Sequence, residues 1–140
     1  GGCRGAAYLA SAERFDVEGG AWEGLPCMRR RRADAAAARA GGGLVVCGGE
    51  DGGRVLSGVE RLDLRAPTVW EGLAPLMVGR AGASAVASAA GIFVFGGYDG
   101  ATLLQSCERL APRAGAWEST APMPAGRRAG ASLVTLHHHA

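Results

Sequence analysis

Lysine and asparagine are absent from this chain, and histidine occurs only at His137, His138 and His139. All 15 basic residues are therefore arginine. The lack of internal histidine excludes an internal histidine metal site and an internal His-dependent catalytic triad. Without asparagine, turns must rely on glycine and aspartate. The four cysteines form no CxxC pair, which excludes a disulfide-dense miniprotein and a zinc ribbon. No signal peptide pattern is visible, and Gly1 in place of Met reads as a processed or truncated end. The longest uncharged stretch, Ala81–Tyr98, is mostly Ala, Gly and Ser, whereas a membrane span needs about 20 predominantly apolar residues. The expectation is a soluble, cytoplasmic protein with no membrane partner. What is present suits one folded domain: 140 residues, 48% hydrophobic and 20% charged. A net charge of +2 is too small to indicate a polyanionic partner by itself. Glycine and alanine exceed a third of the chain, which reads as the codon bias of a GC-rich source.

An internal repeat organises the sequence. Gly-Gly pairs stand at Gly1-Gly2, Gly48-Gly49 and Gly96-Gly97. Glu-Arg pairs follow at Glu13, Glu60 and Glu108, each 11 residues after the second glycine. Trp-Glu pairs follow at Trp22, Trp70 and Trp117, after steps of 9, 10 and 9 residues. The single insertion falls in Leu64–Thr68, which reads as a turn. A Pro and a Met come next in each copy, then an arginine before a run of small residues: Arg32, Arg80 and Arg128. The period is 47 to 48 residues.

Within each unit the pattern is that of strands. Leu44–Cys47 and Ile92–Phe95 are short apolar runs ending at Gly-Gly, as expected of strands buried on both faces. Turn signals follow at 50–53 and 98–100. The Glu-Arg run alternates, with Glu13, Phe15 and Val17 on one face and Arg14 and Asp16 on the other. Each Trp heads another strand, and a small-residue strand closes the unit at Ala83–Ala87 and Ala131–Thr135. Four strands per 47 residues, with no helix between them, describe a propeller blade. The glycine-and-tryptophan pattern resembles the kelch repeat, most closely in the third copy: IFVFGGYDG, SCERL, AWESTAPMP, RRAGAS.

The resemblance implies an all-β fold, a fragment of a kelch-type beta-propeller. Its three repeats are 1–47, 48–95 and 96–136, followed by a His-rich tail at 137–140 that reads as native sequence or a tag remnant. In kelch blades the small-residue strand is innermost, the Gly-Gly strand second, the Glu-Arg strand third and the Trp strand outermost. This gives two complete blades at roughly 33–73 and 81–120, a half blade at 3–25 and an orphan innermost strand after them. Kelch propellers usually close with about six blades. The remaining blades would come from a longer chain, the favoured reading, or from a second copy.

Gly48, Gly49, Gly96 and Gly97 close strands and precede no helix, so they are read as structural and not as phosphate loops. Trp22, Trp70 and Trp117 are expected to pack between blades. Glu13, Glu60 and Glu108 share a packing face with apolar neighbours and need partners. The arginines that recur once per blade are available to pair with them. Arg29–Arg32 is the densest charge run. It continues into ADAAAARA, which propensity alone would allow as a basic helix, but the repeat register places the run in a loop. No aromatics interleave it, which weakens a nucleic-acid reading. Cys47 and Cys107 read as small core residues; Cys27, just before the arginines, is a candidate for an activated thiolate, and Cys3 has no assigned role.

Two loop families should share one propeller face: Cys3–Ala6, Glu50–Arg54 and Tyr98–Ala101 after each Gly-Gly, and Cys27–Arg32, Leu76–Arg80 and Met123–Arg128 before each innermost strand. In the kelch adaptors that this chain resembles, that face binds short peptide segments. By that resemblance the partner-binding residues are Arg32, Arg80, Arg128 and Tyr98. Many adaptors carry Arg-Ser-Gly where this chain has Arg-Ala-Asp or Arg-Ala-Gly, and the Tyr position is Cys3 and Glu50 in the other copies. The expected function is a non-catalytic protein-interaction module for an acidic or phosphorylated segment, with no cofactor and no metal. The resemblance extends to substrate recognition for a cullin-type ubiquitin ligase. The alternatives are a kelch-like oxidase or sugar isomerase, which lacks the expected His, Asn or carboxylates on the inner strands apart from Asp34, and nucleic-acid binding through Arg29–Arg32.

Overall fold

The structure is a computed structural model that describes residues 1–124. Arg128, the expected strand after it and the His-rich tail lie outside the described residues. The elements are β1 (Cys3–Arg4), β2 (Ala7–Tyr8), β3 (Ala12–Asp16), β4 (Ala21–Leu25), β5 (Ala36–Ala40), β6 (Gly43–Cys47), β7 (Val59–Asp63), β8 (Trp70–Leu73), β9 (Ser84–Ser88), β10 (Gly91–Phe95), β11 (Cys107–Leu110) and β12 (Glu118–Thr120). Strands β5–β8 form one antiparallel four-stranded meander and β9–β12 a second. Strands β3 and β4 pair as the half blade, and β1–β2 form a small hairpin in the first loop after Gly-Gly. The fold is all-β, with no helix among the described residues, and the sheets do not close into a ring. Among the described residues no helix is long and apolar enough to cross a membrane.

The Ala-rich stretch after Arg32 illustrates how context overrides helix propensity. Asp34 takes a left-handed φ of 50° and β5 then runs to Ala40, paired along its length with β6. In the next unit the equivalent position is Gly82, with φ 64°. Glycine adopts this geometry freely, and aspartate is among the few other residues that visit it. The Gly82 amide donates to the Asp34 carbonyl at 2.8 Å, which ties the two units together close to their innermost strands.

The Gly-Gly pairs serve the same tight packing. Gly49 and Gly97 have φ of 95° and 91°. A Cβ on Gly49 would lie 2.5 Å from the Ala33 carbonyl oxygen, and one on Gly97 2.8 Å from that of Ala81. Side chains are excluded where the strand end meets the loop entering its own innermost strand.

The core lies in the seams between sheets. One cluster joins Ala36, Ala38, Val45, Cys47 and Val59 of one blade to Ile92, Val94 and Trp117 of the next. The other joins Val46, Leu62 and Trp70 to Met28, with Leu25, Ala10 and Ala12 of the half blade packed against it. Alternation along β6 therefore sends Val45 and Cys47 to one seam and Leu44 and Val46 to the other. The alanines of β5 and β9 let these innermost strands approach each other.

Candidate interaction face

The Glu-Arg strands β7 and β11 each supply a carboxylate that organises the loop arriving from the preceding sheet. Glu60 Oε1 accepts from Arg32 Nη2 at 2.6 Å, while Glu60 Oε2 accepts the Arg29 backbone N–H at 2.7 Å. The Arg30 N–H reaches Oε1 at 3.3 Å. Arg32 Nη1 donates to the Gly48 and Gly58 carbonyls at 2.6 and 3.0 Å. The next seam repeats the arrangement. Glu108 accepts the N–H groups of Met77 and Val78 at 2.6 and 3.2 Å, and Arg80 Nη2 at 2.9 Å. Arg80 Nη1 donates to the carbonyls of Gly96 and Ser106, both at 2.8 Å.

This geometry corrects the expected roles of Arg32 and Arg80. Both are 1% exposed, and their guanidinium groups face inward to a glutamate and to backbone carbonyls. They clamp adjacent units and cannot reach a partner. A buried carboxylate requires a cation and donors, and the recurring arginine supplies the cation at both described clamps. Glu13, by contrast, is exposed, because no loop lies over its face among the described residues.

The tryptophans follow the same logic. Trp70 Nε1 donates to the Pro26 carbonyl at 2.7 Å, and Trp117 Nε1 to that of Ala74 at 2.8 Å. Each acceptor lies four residues after the tryptophan of the preceding unit, so each indole seals a seam. Trp22 is a correction: among the described residues no sheet covers it, it is 69% exposed, and its ring meets Phe15 at 5.3 Å in an aromatic contact.

The clamp determines what the loops display. With the backbone of Arg29 and Arg30 held by Glu60, Arg29, Arg30 and Arg31 stand as exposed residues. In the next loop the displayed positions are Met77 and Val78, both exposed. Arg30 and Arg54, with residues 55–58, line a cleft of about 270 Å³. Asp51 lies beside them. Its carboxyl is held below the usual range by the Gly53 and Arg54 backbone N–H groups and by the charges of Arg54 and Arg30. Tyr98 is half-exposed on the same face, and its hydroxyl donates to the Gly100 carbonyl at 2.7 Å. Leu103 is exposed opposite it.

Sequence reasoning did not single out Arg54 and Met77, although both lie in the two loop families and both are exposed. The signal was their position: loop residues outside the repeating landmarks are the ones free to face solvent. Tyr8 was missed as well. Its hydroxyl donates to Glu50 at 3.1 Å, linking successive loops, and that bond raises its pKa.

Cys47 and Cys107 are buried as expected, while Cys3 and Cys27 are exposed. Burial pushes the Cys47 thiol up to about 12 and raises that of Cys107. Among the described residues no group of three or more His, Cys, Asp or Glu side chains is placed to hold a metal ion.

The kelch motif model matches residues 1–29, 31–76 and 79–124. The chain belongs to the kelch-repeat family. No curated protein matches it. Kelch repeats generally mediate protein–protein interaction and are typically non-catalytic. At the two described seams of these kelch units Arg32, Glu60 and Trp70, and then Arg80, Glu108 and Trp117, form the framework, and the loop residues between them differ.

Proposed function

We propose that this kelch segment is a non-catalytic interaction module whose exposed loop arginines bind an acidic or phosphorylated segment of a partner protein. The observation that carries the reading is the display of Arg29, Arg30 and Arg31 on a loop whose backbone is fixed by Glu60. Arg54 adds a fourth guanidinium, lining the same cleft as Arg30. Guanidinium forks suit carboxylate and phosphate groups. The neighbouring Met77 and Val78 offer apolar contact to residues that flank the acidic ones.

The test uses a fluorescein-labelled peptide rich in glutamate and phosphoserine, titrated against the 140-residue chain. Binding is expected to weaken strongly between about 50 and 500 mM salt. Serine at positions 29, 30 and 31 should abolish it and leave thermal stability unchanged. Affinity that is indifferent to salt or to the triple substitution would refute the reading. The adaptor resemblance extends the proposal to substrate recognition for a cullin-type ubiquitin ligase, tested by co-purification of a cullin from cells. Lacking lysine, the segment itself offers no ordinary site for ubiquitin attachment.

A further inference from the structure

At the end of the seam opposite the interaction loops, the two complete blades part to form a cleft of about 420 Å³. Val45, Leu73, Ile92 and Leu110 form apolar walls, Arg61 and Arg113 stand among the lining residues, and no carboxylate is among them. Arg61 behaves unlike its equivalents in the other units. Arg14 pairs with Glu23 across the strands at 2.6 Å, and Arg109 with Glu118 at 2.5 Å. The register places Glu71 opposite Arg61 in the same way. Arg61 instead donates to the Gly41 carbonyl at 3.1 Å and lies along Gly43, where a Cβ would come within 2.9 Å of its Nε. Asp63 is near enough to feel Arg61, but its carboxylate is engaged by both Nε and Nη2 of Arg65, at 3.1 and 2.9 Å. The cleft thus joins an apolar pocket to a guanidinium that has left the carboxylate its repeat equivalents use.

We propose that this cleft binds an apolar group that carries a carboxylate. The apolar part lies against Val45, Leu73, Ile92 and Leu110, and the carboxylate meets Arg61 with Arg113 adding positive charge. The volume admits a group of leucine or phenylalanine size. A free small acid and the C-terminal residue of a partner chain share this chemistry. The site lies away from the acidic-partner face and stands or falls independently of it.

The experiment titrates the isotope-labelled chain with N-acetyl-leucine and with its uncharged amide, following the backbone amides of Gly41, Gly91 and Ala111 by NMR. The acid should shift them saturably and bind about tenfold more tightly than the amide. Arg61→Gln should erase that preference, while Arg109→Gln, at the equivalent position held by Glu118, should keep it. A peptide with a free C-terminal leucine that binds more tightly than N-acetyl-leucine assigns the cleft to chain ends; equal affinity assigns it to small acids. Absence of saturable shifts at these amides, equal affinity for acid and amide, or an undiminished preference in Arg61→Gln overturns the proposal.

Discussion

At the scale of single residues, one motif carries two opposite jobs. The glutamate of each Glu-Arg pair is either the anchor of a seam or an exposed surface acid, depending only on whether a loop covers it. Glu60 holds Arg32 and two backbone N–H groups in a buried site. Removing one partner of such a pair strands the other charge, at a cost of about 3–5 kcal/mol. Glu60→Ala is therefore expected to lower unfolding free energy by that order, measured by urea titration, whereas Glu13→Ala should change it by less than about 0.5 kcal/mol. Equal effects at the two positions would contradict the clamp. The cysteines divide in the same manner. Cys3 and Cys27 should react with a thiol reagent in the native protein, and Cys47 and Cys107 only after unfolding. The Cys47 thiol has a folded pKa of about 12, above its unfolded value. Its contribution is present below the unfolded pKa and is lost as pH rises toward the folded one. Stability should fall through roughly pH 9 to 12, and Cys47→Ala should flatten part of that decline.

At the scale of elements, seams and turns carry the specificity. Trp70 is 2% exposed and bonded to the Pro26 carbonyl across a seam; Trp22 stands in solvent. Trp70→Ala should cost about 3–5 kcal/mol and Trp22→Ala far less. The same contrast appears in fluorescence: acrylamide should quench Trp22 and spare Trp70 and Trp117. At the entry to β5, the left-handed Asp34 occupies the place of Gly82 in the following unit. Asp34→Val forces a β-branched residue into that conformation and should destabilise by about 1–2 kcal/mol, while Asp34→Gly should be tolerated. A neutral valine variant in the same urea titration would show that the turn is not held as described.

At the scale of the whole molecule, the units stack so that each contacts its neighbours, and stability is shared between units and seams. Two sheets have four strands each, and the half blade has two. The face of the half blade presents Phe15, Val17 and Trp22 to solvent, an apolar patch on a two-stranded sheet. Such a patch favours association. Serine at Val17 and Trp22 is expected to reduce concentration-dependent light scattering of the chain at neutral pH. Scattering that persists unchanged would locate the sticky surface elsewhere. The two loop-bearing ends of the stack also differ. One displays Arg29–Arg31 and Met77; the other opens the Arg61 cleft.

The repeat spacing, the Gly-Gly pairs and the alternation around Glu60 and Glu108 were enough to mark the strands along the chain and to show that these buried acids need partners, while the order of strands across a blade came from the kelch resemblance. Those features are local or periodic, and a period of 47 to 48 residues leaves few ways to bury the same landmarks. The direction in which each arginine points was not decided locally. Arg31 and Arg32 are adjacent and chemically identical, yet one is exposed and the other sealed, because only the second lies within reach of Glu60 and the Gly48 carbonyl. Likewise Arg61 and Arg109 hold the same place in the repeat, yet one crosses to the seam cleft while the other keeps its cross-strand glutamate. Periodicity is a property of the chain, but burial of a charge depends on what the neighbouring sheet brings to it, and only the tertiary structure supplies that neighbour.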